Sequence, residues 1–292
     1  MASDDLTMDA EALRAAWREN DARRDAGLEI PEDVDCAFDI PYGEEALQVL
    51  DVYRPRDREG EILPVIVSVH GGGWVYGDKE LYQFYCMSLA EHGFAVVNFS
   101  YRLAPENRWP AQLGDVNAVF YWVLENAQDF GMDIRNIFAV GDSAGAHLLA
   151  LYCAACTNGE YAGVYPFQPP EGFAPKAIAL NCGVYTVDGQ PERMTDLLGC
   201  EPTSEDYALL SPYRWITGSF PPSFVMTCTG DFLLRQPEVL LPALEEAGVP
   251  FEFHFYSDPG GELGHVFHVN MKLDIAHRCN WEECTFFERQ QD

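Results

Sequence analysis

Five residues near the middle of the chain, Gly141-Asp142-Ser143-Ala144-Gly145, have the types and spacing of a serine nucleophile on a sharp turn. They follow an apolar run that ends at Val140 and they open a helical pattern, which predicts a strand, a tight turn and a helix. The two glycines permit a close, strained backbone that exposes the hydroxyl, and the amino end of the helix offers N–H groups to developing negative charge. The segment therefore predicts nucleophilic catalysis by Ser143.

A nucleophilic serine needs a general base, which should follow it in the chain when the serine lies on such a turn. His265 ends a glycine-rich loop, Gly260-Gly-Glu-Leu-Gly-His265, after the last predicted strand. His268 is its nearest rival, but it begins the next helical pattern. The remaining histidines after Ser143 fall inside predicted helices or a strand and are interpreted as packing or surface residues: His147, His254 and His277. We predict that His265 is the base.

The base in turn needs a carboxylate that orients it, placed between the serine and the histidine in the chain. Asp231 comes directly after the apolar run 223–230, at the carboxyl end of a predicted strand. Asp258, in a turn with Pro259, and Asp188, in a polar insertion, are alternatives that are more typical of solvated loops. We predict that Asp231 is the acid.

Three consecutive glycines form a second motif, His70-Gly71-Gly72-Gly73-Trp74, directly after an apolar run of β-branched residues. Glycines leave their backbone amides bare, so such a loop is suited to stabilising an oxyanion. A phosphate-binding loop would need a following Lys-Ser/Thr pair or a dinucleotide fingerprint, whereas Tyr76-Gly77-Asp78 continues this loop. The pattern favours oxyanion stabilisation.

The elements that must position these motifs alternate between β and α patterns with short connections, which indicates parallel strands and right-handed crossovers. Strands are predicted at residues 34–40, 47–53, 64–69, 94–99, 136–140, 177–181, 223–229 and 251–256. Helices are predicted near residues 8–26, 81–92, 113–128, 144–156, 237–247 and 269–289, with helical fragments at 194–198 and 205–210.

This order predicts an α/β fold, a mostly parallel central sheet with helices on both faces, in a single domain spanning residues 1–292. An amphipathic helix within about 1–30 and the insertion at about 184–222 interrupt the alternation. Open α/β sheets bind ligands beyond the carboxyl ends of their strands, so we expect these two segments to form a small cap over the site.

The charge balance limits the partners. The chain carries 47 acidic and 18 basic residues, a formal net charge of −29. This sign argues against nucleic acid and acidic membranes as partners and disfavours strongly anionic substrates, although the local field of a cleft can differ from the net charge. The sequence leaves the oligomeric state open, a homodimer included.

The chain begins Met1-Ala-Ser-Asp-Asp without a basic and apolar leader, and it has no apolar run long enough to span a bilayer. Nine cysteines are scattered without the paired spacing of a zinc site. Cys153 and Cys156 lie within a predicted helix, where residues three apart share a face, so we interpret them as packing residues rather than a redox pair. A cytoplasmic protein with reduced thiols is expected.

Together, these motifs resemble those of the hormone-sensitive-lipase-like esterases of the α/β-hydrolase superfamily, from about Leu47 to the last helix. A further segment, Tyr101-Arg-Leu-Ala-Pro-Glu106, is similar to one that these proteins carry after the strand that follows the glycine loop. One departure is that Asp231-Phe-Leu-Leu-Arg lacks the proline often found after the acid in this family.

The resemblance implies that Ser143 is the nucleophile, His265 the general base and acid, and Asp231 its partner, without a metal or organic cofactor. It implies that the amides of Gly72, Gly73 and Ala144 form the oxyanion hole, and that His70 is structural. The expected reaction is hydrolysis of an ester through an acyl-enzyme.

The substrate is less constrained. Short-chain acyl esters are expected because no strongly apolar lid is evident, and the aromatic residues Trp74, Tyr76, Trp109 and Trp215 are candidates to line a pocket for a carbohydrate ester. The glycine loop and Ser143-Ala-Gly-Ala-His147 also look like segments of arylformamidases. A non-catalytic ligand-binding protein of the same fold is the alternative outside enzymes.

Overall fold

The eight predicted strands form one continuous sheet. A computed structural model describes residues 3–261 and 263–292, with side chains from residue 10 onward. The strands are β1 Val34–Pro41, β2 Val49–Pro55, β3 Leu63–Val69, β4 Ala95–Phe99, β5 Met132–Asp142, β6 Ile178–Asn181, β7 Ser223–Cys228 and β8 Phe251–Tyr256. Their order in the sheet is β1-β2-β4-β3-β5-β6-β7-β8.

The helices fill the intervals between the strands. They are α1 Ser3–Asp25, α2 Gln83–Glu91, α3 Ala111–Asn126, α4 Ala144–Thr157, α5 Gly159–Ala162, α6 Pro191–Leu198, α7 Ser204–Leu209, α8 Pro237–Ala247 and α9 Asp274–Glu288. Short 3-10 helices occur at Arg56–Arg58, Lys79–Tyr82, Pro212–Trp215 and Phe267–Val269.

Only β2 runs against its neighbours: it pairs antiparallel with β1 and β4, and the pairs from β4 through β3 to β8 are parallel. This confirms the mostly parallel α/β fold. The chain passes from β3 outward to β4 and then returns to the other side of β3 with β5. The strand order therefore reverses between β3 and β5, and ligands bind where such a reversal opens a crevice.

The central strand β3 explains why helices cover both faces of the sheet. Its side chains alternate, so Val65, Val67 and Val69 join one apolar core whereas Ile66 joins the other. The first core includes residues of α3, α4 and α8, and the second includes residues of α2 and α9. Because both faces are buried, the strand is a nearly continuous apolar run.

The N-terminal helix α1 is fixed to the body by its arginines. The Arg14 guanidinium donates to the carbonyl of Val75 at 2.6 Å and forms an ion pair with Glu106 at 2.7 Å. Arg24 donates to the carbonyl of Leu81 at 2.6 Å. These contacts join α1 to the segment after β3 and to the segment after β4, so the helix lies against the glycine loop.

The predicted helix over 269–289 is wrong at its start. The structure has a 3-10 helix at Phe267–Val269, a turn, and then α9 from Asp274. The side-chain oxygen of Asn270 accepts the amide of Lys272 at 3.1 Å, a local bond that competes with helical hydrogen bonding. The apolar pattern of the sequence continues through this turn because residues before and after it pack against the same core.

None of the helices within the described residues has the length and apolarity needed to cross a bilayer. Met1 and Ala2, on which the expected absence of a leader partly rests, lie outside the described residues, as does Glu262 of the predicted histidine loop.

Candidate active site

Ser143 lies on the turn between β5 and α4 with φ 52° and ψ −117°, a backbone conformation that residues other than glycine rarely adopt. Its amide donates to the carbonyl of Asn181 at 3.0 Å, which fixes the turn to the end of the neighbouring strand β6. A methyl group built on Gly145 would lie 2.0 Å from the carbonyl oxygen of Val69, so only glycine lets α4 approach β3. The hydrogen bond of Ser143 and the close packing at Gly145 thus produce the predicted turn at this position.

The glycine loop begins where β3 ends, next to this turn. Gly72 and Gly73 have φ values of +114° and +59°. The amide of Gly71 donates to the Tyr82 hydroxyl at 2.9 Å, and that hydroxyl donates to the Asp142 carboxylate at 2.8 Å. The loop is therefore tied, through Tyr82, to the residue that precedes Ser143.

Two buried histidines hold the same loop without facing the cavity. The ring of His70 stacks on Tyr101 at 4.0 Å, and burial lowers its pKa to about 4. His147 accepts the indole N–H of Trp74 at 3.2 Å, and its other ring nitrogen is 2.7 Å from the carbonyl of Leu210. Burial lowers the pKa of His147 to about 4, so this ring is neutral and links the loop, α4 and the segment after α7.

The structure brings His265 and Asp231, the predicted base and acid, into hydrogen-bond contact. The His265 Nδ1 atom lies 2.7 Å from Asp231 Oδ1. The carboxylate also accepts the Thr227 hydroxyl at 2.7 Å and the Leu233 amide at 2.8 Å. Burial raises the pKa of Asp231, but the hydrogen bond and charge of His265, with the other two donors, outweigh it and hold that pKa below its usual range.

The rival residues lie in other surroundings. His268 is fully buried, neither ring nitrogen has a hydrogen-bond partner in the described part of the chain, and burial lowers its pKa to about 3. Asp258 is exposed and accepts the amide of Gly260 at 2.9 Å within its own turn. Asp188 is exposed and lies 3.6 Å from Arg214. None of the three has a hydrogen bond to His265 or Asp231 within the described residues.

A cavity of about 380 Å³ brings the two halves of the site together. Ser143, Ala144, His265 and the loop 71–73 all lie on its wall. The apolar residues of the wall include Trp17, Leu81, Val184, Phe232, Leu233 and Val266. Trp17 belongs to α1, and Val184 lies in the 184–222 insertion, so both expected cap segments contribute to the cavity.

Two of the predicted pocket residues, Trp74 and Tyr76, contribute to the cavity wall. Trp215 does not: its ring packs on Tyr161 at 4.7 Å and its N–H donates to the carbonyl of Ala208 at 3.0 Å. Trp109 packs on Tyr165 at 5.8 Å and is likewise absent from this wall within the described residues. Trp215 thus packs against α5, and Trp109 packs against the segment that follows α5.

Cys182 is a neighbour of the site that sequence reasoning did not identify. Its thiol, the Asp231 carboxylate and a ring nitrogen of His265 lie within 4.8 Å of one another. A hydrogen bond with Cys228 and burial both raise the pKa of the Cys182 thiol. We interpret the Cys182 thiol as a neutral group that packs beside Asp231. Its position was not apparent because it follows β6 whereas the acid follows β7.

Comparison with known proteins agrees with this geometry. The profile of a family described as alpha/beta hydrolase fold matches residues 66–269, from the middle of β3 to the segment before α9. The chain belongs to this family. Its resemblance to the hormone-sensitive-lipase-like esterases within the α/β hydrolases, inferred from the motifs, is confirmed.

Named esterases are among the similar proteins. Versiconal hemiacetal acetate esterase of Dothistroma septosporum is 32% identical over 225 residues, 70% of this chain and 67% of that protein. Esterase LipC of Mycobacterium tuberculosis is 36% identical over 147 residues, 50% of this chain but only 35% of LipC. The solved structure of Esterase B from Lactobacillus rhamnosis has a TM-score of 0.90 at 26% identity and covers 99% of this chain and 96% of that one.

In this α/β hydrolase, Gly72 is the loop position least able to accept a side chain. A methyl group there would lie 2.0 Å from the carbonyl oxygen of Tyr76, and φ is +114°. The sequence resemblance predicts that the Gly72 amide is an oxyanion donor. We expect Gly72→Ala to displace the loop and lower kcat/KM for an ester by about 10²- to 10³-fold, the usual cost of losing such a donor. The measurement is steady-state hydrolysis at fixed pH.

Gly27→Ala is the matched control, since Gly27 also has a positive φ, +83°, but nothing lies within 4 Å of the added methyl. It should carry the same kind of backbone strain and keep activity within about twofold. Gly72→Ala activity within about threefold of wild type would contradict the importance of this loop.

Two buried carboxyl groups, those of Asp142 and Glu283, should make the stability of the protein depend on pH. Burial raises the pKa of Asp142 to about 6, against the lowering effect of the Tyr82 hydrogen bond. Burial also raises the pKa of Glu283, to about 7, although hydrogen bonds from Asn181 and Tyr85 lower it. Both groups bind their protons more tightly in the folded state than in the unfolded state. The free energy of unfolding therefore falls as the pH rises through these values.

We expect Glu283→Gln to remove one part of this dependence. The wild-type penalty develops between the ordinary value of 4.5 and about 7; at about 1.4 kcal/mol per unit it approaches about 3 kcal/mol. The free energy of unfolding of Glu283→Gln minus that of wild type should therefore grow in favour of the variant from pH 4.5 to pH 8. Urea unfolding across this range measures it.

Glu282→Gln, at the preceding position, should change the difference in unfolding free energy in the opposite direction as the pH rises. Burial raises the pKa of Glu282, but hydrogen bonds from Tyr256 and Arg278 outweigh it and lower the pKa. Its ionised form stabilises the fold above the ordinary pKa, and that contribution is lost as the pH falls through the folded-state pKa. Parallel stability curves for wild type and both variants would refute the assignment.

Proposed function

We propose that this protein is a serine carboxylesterase that hydrolyses esters of short acyl chains. The observation that carries the proposal is the shared cavity wall: Ser143 on its strained turn, and His265 bonded to Asp231, line one space beside the glycine loop. In the first half of the reaction Ser143 attacks the ester carbonyl as His265 takes its proton, and the same ring then protonates the leaving alcohol.

The amides of Gly72, Gly73 and Ala144 are the proposed donors to the oxyanion of the tetrahedral intermediate. The first N–H groups of a helix have no intrahelical acceptor, and Ala144 is the first residue of α4. In the second half, water attacks the acyl-enzyme with His265 again as base. The Asp231 carboxylate stabilises the imidazolium that forms in both halves.

Three observations support short acyl chains. The cavity of about 380 Å³ is at the small end of ligand sites. One relative is named for an acetate ester, and the Esterase B structure has also been solved with a tributyrin phosphonate inhibitor. A carbohydrate ester has less support, because two of the four aromatic residues considered for it, Trp109 and Trp215, pack elsewhere.

The test is hydrolysis of p-nitrophenyl esters from acetate to palmitate by the purified protein, with an N-formyl arylamine as a separate substrate. We expect the highest kcat/KM at acetate or butyrate. Faster turnover of palmitate would refute the short-chain proposal, and turnover of the formamide without the esters would favour the arylformamidase alternative. A folded protein that hydrolyses none of them would favour ligand binding.

A cytoplasmic location is proposed with the activity. The nine cysteines are all free thiols in the structure, and most are buried. Reduced thiols of this kind are typical of a reducing compartment.

A further inference from the structure

The cavity contains a cationic side chain that the reaction described above does not use. Arg193, in α6 of the 184–222 insertion, lines the same space as Ser143 and His265. A methyl group built on Gly73 would lie 3.1 Å from a terminal nitrogen of its guanidinium. The Arg193 head group is therefore next to the loop proposed to hold the oxyanion.

The indole of Trp17 supports this guanidinium from the N-terminal helix. The central carbon of the Arg193 guanidinium lies 5.5 Å from the centre of the Trp17 ring. Stacking of this kind holds a cation through its face and leaves the N–H groups at its edge available to a planar anion. Two polar side chains, Asn20 and Gln190, line the cavity as well and can add hydrogen bonds.

Among the side chains that the structure describes, Arg193 supplies a positive charge that no ion pair neutralises. The other arginine on the cavity wall, Arg24, forms ion pairs with Asp21 at 3.0 Å and Asp25 at 2.6 Å. Arg193 has no carboxylate within 4.0 Å among the residues whose side chains the structure describes, 10–261 and 263–292. A guanidinium stays ionised at every physiological pH, so its charge is available to a ligand.

We propose that Arg193 is the recognition site for a carboxylate carried by the ester substrate, so that the preferred substrate is a monoanionic ester. This inference rests on the esterase activity proposed above. The fork of N–H donors matches a carboxylate in two parallel hydrogen bonds. A dianionic phosphate is disfavoured, because Asp21 and Asp142 also line the cavity and the chain as a whole carries −29.

The test uses pairs of alkyl esters that differ in charge. Monoethyl glutarate is compared with ethyl pentanoate for a carboxylate on the acyl side, and 4-acetoxybutanoate with butyl acetate for one on the alcohol side. Acid release is followed in a pH-stat. In Arg193→Gln we expect kcat/KM for the anionic ester of at least one pair to fall about 10- to 100-fold, and the neutral esters to stay within about twofold.

Two further variants separate recognition from other roles of the arginine. Arg214→Gln removes the same charge from the same insertion, but Arg214 packs over Tyr213 and does not line the cavity within the described residues, so it should leave all four rates unchanged. Arg193→Lys keeps the charge without the fork and should restore part of the loss. Equal losses on charged and neutral esters, or no loss on either, would overturn the proposal.

Failure of the esterase activity itself is distinguishable from failure of this inference. Calorimetric binding of monoethyl glutarate and of 4-acetoxybutanoate to Ser143→Ala, with and without Arg193→Gln, does not depend on turnover. Binding of either ester that is lost with Arg193→Gln supports the carboxylate site even where no ester is hydrolysed. The absence of binding to Ser143→Ala, or equal binding to both proteins, overturns it.

Discussion

Ser143→Ala should reduce kcat for a short-chain ester by about 10⁶-fold, the size of effect expected when the nucleophile of a serine hydrolase is removed. Without the hydroxyl no acyl-enzyme forms, and the remaining oxyanion donors act only on direct attack by water. The turn should keep its shape, because Ser143 is held through its backbone amide to the carbonyl of Asn181. The cavity should therefore still bind substrate. Initial rates at high enzyme concentration, with butyrate as the acyl group, measure the loss.

The matched control is Ser223→Ala. Ser223 begins β7, is fully buried, and donates its hydroxyl to the carbonyl of Pro221 at 2.9 Å, remote from the cavity. Its loss should cost about 1 kcal/mol of stability and leave kcat within about twofold. Ser143→Ala protein that keeps more than a hundredth of wild-type activity would assign the nucleophile elsewhere.

Asp231→Asn should lower kcat by about 10³- to 10⁴-fold. The amide can retain the site geometry, because its oxygen can accept His265 and the Leu233 amide while its nitrogen donates to the Thr227 hydroxyl. The variant therefore removes the negative charge rather than the fold. That charge balances the imidazolium at the transition state, and without it the base is weaker and the wrong tautomer of His265 becomes accessible.

The two rival carboxylates provide controls of the same chemistry. Asp258→Asn and Asp188→Asn each remove one negative charge from an exposed loop, and we expect both to retain kcat within about twofold. Circular dichroism and thermal unfolding of all three variants establish that folding is unchanged. A loss at Asp258 or Asp188 comparable to the one expected at Asp231 would refute the assignment of the acid.

Local patterns account for the fold class and family, and for the candidate residues that the structure brings together. The elbow around Ser143 and the glycine loop are contiguous motifs, and the strands follow from runs of apolar and β-branched residues that bury both faces. Asp231 and His265 lie 34 residues apart, but the order of the site in the chain and the position of each after a strand were enough to pair them. The sequence alone thus determined the fold class, the family and the candidate residues that would act on an ester.

Contacts between distant segments decided the rest. Whether an indole such as Trp215 faces the cavity or packs on Tyr161 depends on how the 184–222 insertion folds back, and no periodicity encodes that choice. The same holds for Arg193, whose charge becomes informative only when Trp17 lies under it and, in the described part of the chain, none of the carboxylates comes within ion-pair distance of it. Composition gave an acidic chain, and only the tertiary structure placed a positive charge at its proposed reaction centre, because a local field depends on which side chains converge and not on their sum.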